Sequence, residues 1–123
     1  MQHLTMFLVE QAGPTVILTP RGDSSSFRYR DFQAEVNSVR THMTMPENLN
    51  LVVDLRQCQY FRSEFIGALV SMLREVRRRQ GQCAMCGATD QMCAVLKTMS
   101  LFKLWPYFET RDDALASIAQ PAA

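Results

Sequence analysis

The sequence predicts an α/β fold: a mixed, mostly parallel β-sheet with an N-terminal β-hairpin, in the order β-β-α-β-α-β-α-β-α. Three observations lead there. Two β-rich runs, "TMFLVE" (5–10) and "TVILTP" (15–20), flank "QAGP", whose Gly and Pro suit a hairpin loop. The run "LNLVVDL" (49–55) is apolar on both of its faces, as a strand covered from two sides would be. Beyond the hairpin, helical and strand periodicities alternate, which implies parallel crossovers through the helices.

The elements follow in order. "RGDSSS" (21–26) is a polar loop in which Ser25 or Ser26 can cap the next helix. In that helix Phe32, Val36, Val39 and Met43 recur on one face, and Pro46 lies just beyond. The strand at 49–55 places Leu49, Leu51, Val53 and Leu55 on one face and Val52 on the other, with Asp54 near its end. A helix from about Glu64 to Gln80 buries Ile66, Leu69, Val70, Leu73 and Val76, with Ser63 as its N-cap. Arg74, Arg77, Arg78 and Arg79 crowd its last turns, where cations complement the carbonyl end of the dipole, and Gly81 is placed to close it. "QCAMCGA" (82–88) reads as a strand. A third helix starts at Thr89 or Asp90 and aligns Met92, Val95, Leu96 and Met99. Tyr107–Glu109 forms a short strand, and "TRDD" (110–113) resembles a capping box ahead of a last helix with Ala114, Leu115 and Ile118. With no repeat and no linker, residues 1–123 make one domain, its core about 5–118, ending in a frayed tail at 119–123.

Composition narrows the function classes. Apolar residues make up 47% and charged residues 20%, enough for a core and too few charges for disorder. A net charge of +1 gives no whole-chain case for nucleic acid. No apolar run approaches the roughly 20 residues that span a bilayer, so no membrane partner is expected. "MQHLTMFLVE" has neither a basic start nor a long apolar run, which predicts a cytoplasmic protein without a signal peptide.

Catalysis finds little support. Of four cysteines, Cys83 and Cys86 form a C-x-x-C, but the second ligand pair of a zinc site is missing. On a strand, residues three apart point to opposite faces, so redox pairing is disfavoured too. The cysteines read as small buried residues in a reducing compartment. His3 and His42 are the only histidines, and no Ser-His-Asp or Cys-His set can be placed. Neither a Walker loop nor a dinucleotide fingerprint occurs. The expectation is a non-enzyme with no metal and no cofactor.

The informative stretch is "YFRSEFIG" (60–67), where strand passes into helix. Glu64 lies in a first helical turn, where a carboxylate gains about 0.3–1 kcal/mol from free N–H groups and the dipole. Phe65 suits either core packing beside Ile66 or an interface ring. Asp54, at a strand end, could serve a ligand or pair locally.

From "LNLVVDL" through "LFKLWPYFETRDDALASI" the ordered set of features resembles a STAS domain, over about Phe7 to Ile118. That family includes bacterial anti-sigma factor antagonists, stressosome subunits and the tails of sulfate transporters. In antagonists the junction usually reads Asp-Ser-Ser-Gly-(Leu/Ile)-Gly, and the second Ser is phosphorylated by a kinase that is also an anti-sigma factor. Anchored on Gly67, Ile66 matches the aliphatic position and Ser63 the first Ser, while Arg62, Glu64 and Phe65 replace Asp, the switch Ser and Gly. The resemblance therefore implies a partner, an anti-sigma factor or related kinase-fold protein, contacted by Asp23, Ser24, Arg62, Ser63, Glu64 and Phe65. It implies no phosphorylation at position 64, with Ser63 the neighbouring hydroxyl that could carry one. Glu64 then either mimics a phosphoserine with less charge, or only stabilises the helix start. "RGD" (21–23) as an adhesion tripeptide is a coincidence in a cytoplasmic loop. Two alternatives remain open: a module binding an anion or nucleotide at the helix start, against which Glu64 repels, and a subunit of a stressosome-like assembly docking through its arginines.

Overall fold

The computed structural model describes residues 7–23, 29–60, 63–103 and 105–119. Strands β1 (Phe7–Ala12) and β2 (Thr15–Pro20) pair antiparallel, Phe7 opposite Pro20 and Ala12 opposite Thr15. Only Gly13 and Pro14 lie between them, so the loop is shorter than the four residues the sequence suggested. Gly13 takes a φ of +60° as the first central residue, a place in a tight hairpin that suits glycine.

The main sheet runs β1-β2-β4-β6-β7, with β4 Asn50–Asp54, β6 Cys83–Cys86 and β7 Tyr107–Phe108. All pairings after the hairpin are parallel, with Leu51 beside Val16 and Cys83. This is the mixed, mostly parallel sheet expected, in the expected order. Two short strands add to it: β3 (Gly22–Asp23) and β5 (Cys58–Tyr60) form a separate parallel pair. They lie beyond the C-terminal ends of β2 and β4, and are too brief to leave a periodic signal.

The helices are α1 (Tyr29–Met43), α2 (Ser63–Arg78), α3 (Asp90–Thr98) and α4 (Arg111–Ala119), with a 3-10 turn at Leu101–Lys103. Alternation along the strands sorts the core into two clusters. On the front, Val16, Leu18, Leu51, Val53 and Met85 meet Phe32, Val36 and Val39 of α1, Leu69, Leu73 and Val76 of α2, and Met92 and Leu96 of α3. On the back, Ile17, Val52, Ala84 and Cys86 meet Ala114 and Ile118 of α4, with Phe108 and Leu115 packed against them.

Some expectations shift in detail. Leu49 precedes β4 and is 49% exposed rather than facing inward with Leu51. On α3 only Met92 and Leu96 are buried; Val95 and Met99 are exposed, because a helix over the last strands of the sheet needs just one narrow stripe. Ser63 is the first helical residue of α2 instead of the residue before it. The end of α2 also differs. Gln80, not Gly81, adopts the left-handed conformation, with φ of 67°. Its N–H reaches the Arg77 carbonyl at 2.9 Å, and the Gly81 N–H reaches the Val76 carbonyl at 2.9 Å, the bond pair of a Schellman closure. Gly81 is required for space: a Cβ there would stand 1.8 Å from the Leu49 carbonyl oxygen.

Candidate functional site

The predicted contact residues gather, as far as they are described, at one end of the sheet. Asp23 in β3 is the parallel neighbour of Tyr60 in β5, three positions ahead of Ser63 at the start of α2. The polar loop after β2 and the strand–helix junction therefore meet. Ser24 and Arg62 lie outside the described residues, and for Ser63 and Glu64 the described feature is their backbone place in the first turn of α2.

Phe65 belongs to the core. It is 5% exposed and forms a three-ring cluster with Phe7 of β1 and Phe32 of α1. Ring centroids are 5.8 Å apart for Phe7–Phe65, 5.7 Å for Phe32–Phe65 and 6.2 Å for Phe7–Phe32. Such pairs contribute about 0.5–1.5 kcal/mol beyond their area. Phe65 thus presents no ring to a partner, which corrects its place among the surface residues; it anchors the first turn of α2 from beneath. Two positions on, Gly67 is exposed, and a Cβ built there meets none of the described residues within 4 Å.

Behind this end of the sheet lies a polar cluster that sequence reasoning touched only at Asp54. The Asp54 carboxylate is buried, with 2% of its side chain accessible. Its Oδ1 accepts the Arg56 N–H at 3.0 Å, and its Oδ2 accepts Arg111 Nε at 2.9 Å. Arg111, from α4, also donates to Thr19 Oγ1 at 3.2 Å and pairs with Glu10 Oε1 at 3.1 Å. Partial burial works against the charge on Arg111, but the bonds to Asp54 and Glu10 outweigh it and raise its pKa above the ordinary guanidinium value. Asp54 is therefore a paired structural carboxylate. Gly87, with φ of +74°, lies against it: a Cβ there would stand 3.0 Å from Asp54 Oδ1.

At the ends of β4, β6 and β7 an open cleft of about 420 Å³ is lined by Arg56, Gly87, Asp90, Cys93, Tyr107 and Glu109, among others. The Tyr107 hydroxyl accepts the Ala88 N–H at 2.9 Å and lies 3.6 Å from the Cys93 sulfur. Burial is the main cause that pushes Tyr107 up to about 12. The thiols give no reactive pair. Cys83 faces the front cluster and Cys86 the back one, as the strand reading required. Burial above all pushes both thiols up to about 12, far from thiolate character at neutral pH. His42 lies against Gln11, at 3.3 Å, rather than beside any of these groups. Among the described residues, no three His, Cys, Asp or Glu side chains group as metal ligands, and no helix is long and apolar enough to cross a membrane.

Comparison with known proteins joins these observations. No curated protein matches the chain in sequence. Solved structures match it in fold. A STAS-domain anti-sigma-factor antagonist protein from Planctomyces limnophilus superposes with a TM-score of 0.78 at 20% identity, over 93% of this chain and 98% of its own. An anti-sigma factor antagonist from Mycobacterium paratuberculosis gives 0.75 at 18% identity, over 93% of each chain. The anti-sigma factor antagonist SpoIIAA in its unphosphorylated form gives 0.78 at 13% identity, over 95% of this chain and 99% of its own. The sequence model of the STAS domain matches residues 6–114, nearly the full length, and with the fold in agreement the chain belongs to the STAS domain family.

Proposed function

We propose that this domain is a non-catalytic, cytoplasmic regulator of the bacterial partner-switching type. It docks an anti-sigma factor or related kinase-fold protein through the β3–β5 pair and the start of α2. Asp23, Ser24, Arg62, Ser63 and Glu64 supply the contacts, with Phe65 holding the helix start in place. The site undergoes no phosphorylation cycle at position 64, because a glutamate stands where the antagonist pattern has its switch serine.

The observation that carries this reading is Gly67. A glycine inside a helix costs about 0.5–1 kcal/mol relative to alanine. Among the described residues nothing asks for it, since a Cβ there would meet none of them within 4 Å. A backbone left bare beside position 64 and exposed to solvent suits close approach by another molecule. One turn on from position 64 along α2, Gly67 is exposed and Ala68 half-buried. The anion or nucleotide alternative places its ligand at the start of α2, where the charge of Glu64 in the first turn repels a polyanion.

Capture from native-host lysate tests the proposal, with bound proteins identified by mass spectrometry. Wild type retains a kinase-fold protein and Glu64→Lys loses it, while the variant's circular dichroism stays unchanged; a charge reversal at an interface pair commonly costs a few kcal/mol. Equal retention by both places the contact elsewhere. Intact mass of protein from the same cells adds a second check, since a stoichiometric phosphate on Ser63 would restore a switch to the neighbouring residue.

A further inference from the structure

The two segments that form the proposed contact surface are extensions of two core strands, and one side chain holds the ends of both. Thr19 is the next-to-last residue of β2, just ahead of β3. Asp54 is the last residue of β4, ahead of the turn into β5. Arg111 donates to Thr19 Oγ1 at 3.2 Å and to Asp54 Oδ2 at 2.9 Å. The other Asp54 oxygen accepts the Arg56 N–H at 3.0 Å, inside the turn closed by the Cys58 N–H on the Leu55 carbonyl at 3.1 Å. That turn delivers the chain to Tyr60, the partner of Asp23.

We propose that Arg111 is a positioning residue for the contact surface: from α4, on the back of the sheet, it sets the spacing and direction of the two segments that meet as β3 and β5. The surface is thereby coupled to the docking of α4, and displacement of α4 loosens the 55–60 turn. The role of this surface as a partner contact rests on the reading above, whereas the mechanical link does not. Guanidinium geometry matters, because one planar fork serves Asp54, Thr19 and Glu10 together. Lysine offers a point charge that cannot reach all three.

Amide hydrogen exchange followed by NMR on the full chain tests it without any partner. Arg111→Gln accelerates exchange at Arg56 and Cys58 by about tenfold or more relative to wild type, the size expected when a charged hydrogen bond is lost. Central amides such as Val53 and Met85 change much less. Arg111→Lys gives an intermediate acceleration at the same two amides, and decides the matter if the Gln variant does not fold. Val36→Ala, which weakens the front core without touching the network, changes exchange without singling out Arg56 and Cys58. Unchanged exchange at those amides in the Arg111 variants, or the same pattern in Val36→Ala, overturns the proposal. Failure here leaves the partner reading standing, and failed capture of a partner leaves the exchange result readable.

Discussion

The two faces of the sheet are built on different principles. The front carries three helices and nearly all the large apolar side chains, including the Phe7–Phe32–Phe65 cluster. The back carries one short helix whose buried contacts are Ala114 and Ile118, plus a charged cluster centred on Asp54 and Arg111. Apolar burial is large and non-directional. A charged pair under partial cover is modest in net worth and strict in geometry. The front therefore holds the domain together, while the back fixes where particular strand ends lie. Both reach the start of α2: Phe65 from the front core, and Asp54 by way of the turn into β5.

That contrast can be broken by substitution. Phe65→Ala should produce the largest loss, about 3–5 kcal/mol, because it removes one ring of a buried three-ring cluster. Urea unfolding measures it; a loss under 1 kcal/mol would mean the ring is not a core element. Gly81→Ala comes next at about 1–3 kcal/mol, since its Cβ must displace the Leu49 carbonyl from 1.8 Å. Thermal unfolding reads that effect, and an unchanged midpoint would show that the end of α2 can move away from β4 freely.

A smaller effect comes from alkaline pH. Cys83 and Cys86 are raised from 9.0 to about 12 in the folded state. Unfolded thiols lose protons first as pH passes 9, so the folded state is at its full advantage below pH 9 and loses it progressively toward pH 12. The unfolding midpoint of wild type should fall across that window, and that of a Cys83→Ala/Cys86→Ala double variant should fall less steeply. Parallel curves would show that these thiols are not held protonated by burial.

The sequence made the front face readable and left most of the back face dark. Phe32, Val36, Val39 and Met43 announce α1 by spacing alone, and all four are buried. Val52 against Leu51 and Val53 announces a strand covered on both sides, which it is. Arg111 could not be read as a clamp. Its partner Asp54 is 57 residues away, and "TRDD" signals only a helix start, which the Thr110 cap on the Asp113 N–H at 3.1 Å provides. Phe65 was legible as apolar but ambiguous in direction, because its two ring partners come from β1 and α1, distant in sequence. At the end of α2, glycine suggested the left-handed position; the requirement met there is close approach to the neighbouring chain, and Gln80 carries the turn.

Substitution at Gly67 separates a helix start built for another molecule from one that is not. Gly67→Ala and Gly67→Leu are compared with wild type by thermal unfolding and by capture of the kinase-fold protein from native-host lysate. Ala raises stability by about 0.5–1 kcal/mol, as expected for helix propensity where the Cβ meets none of the described residues, while capture weakens at Ala and is lost at Leu. Greater stability with capture undiminished in both variants would contradict a start of α2 built for another molecule.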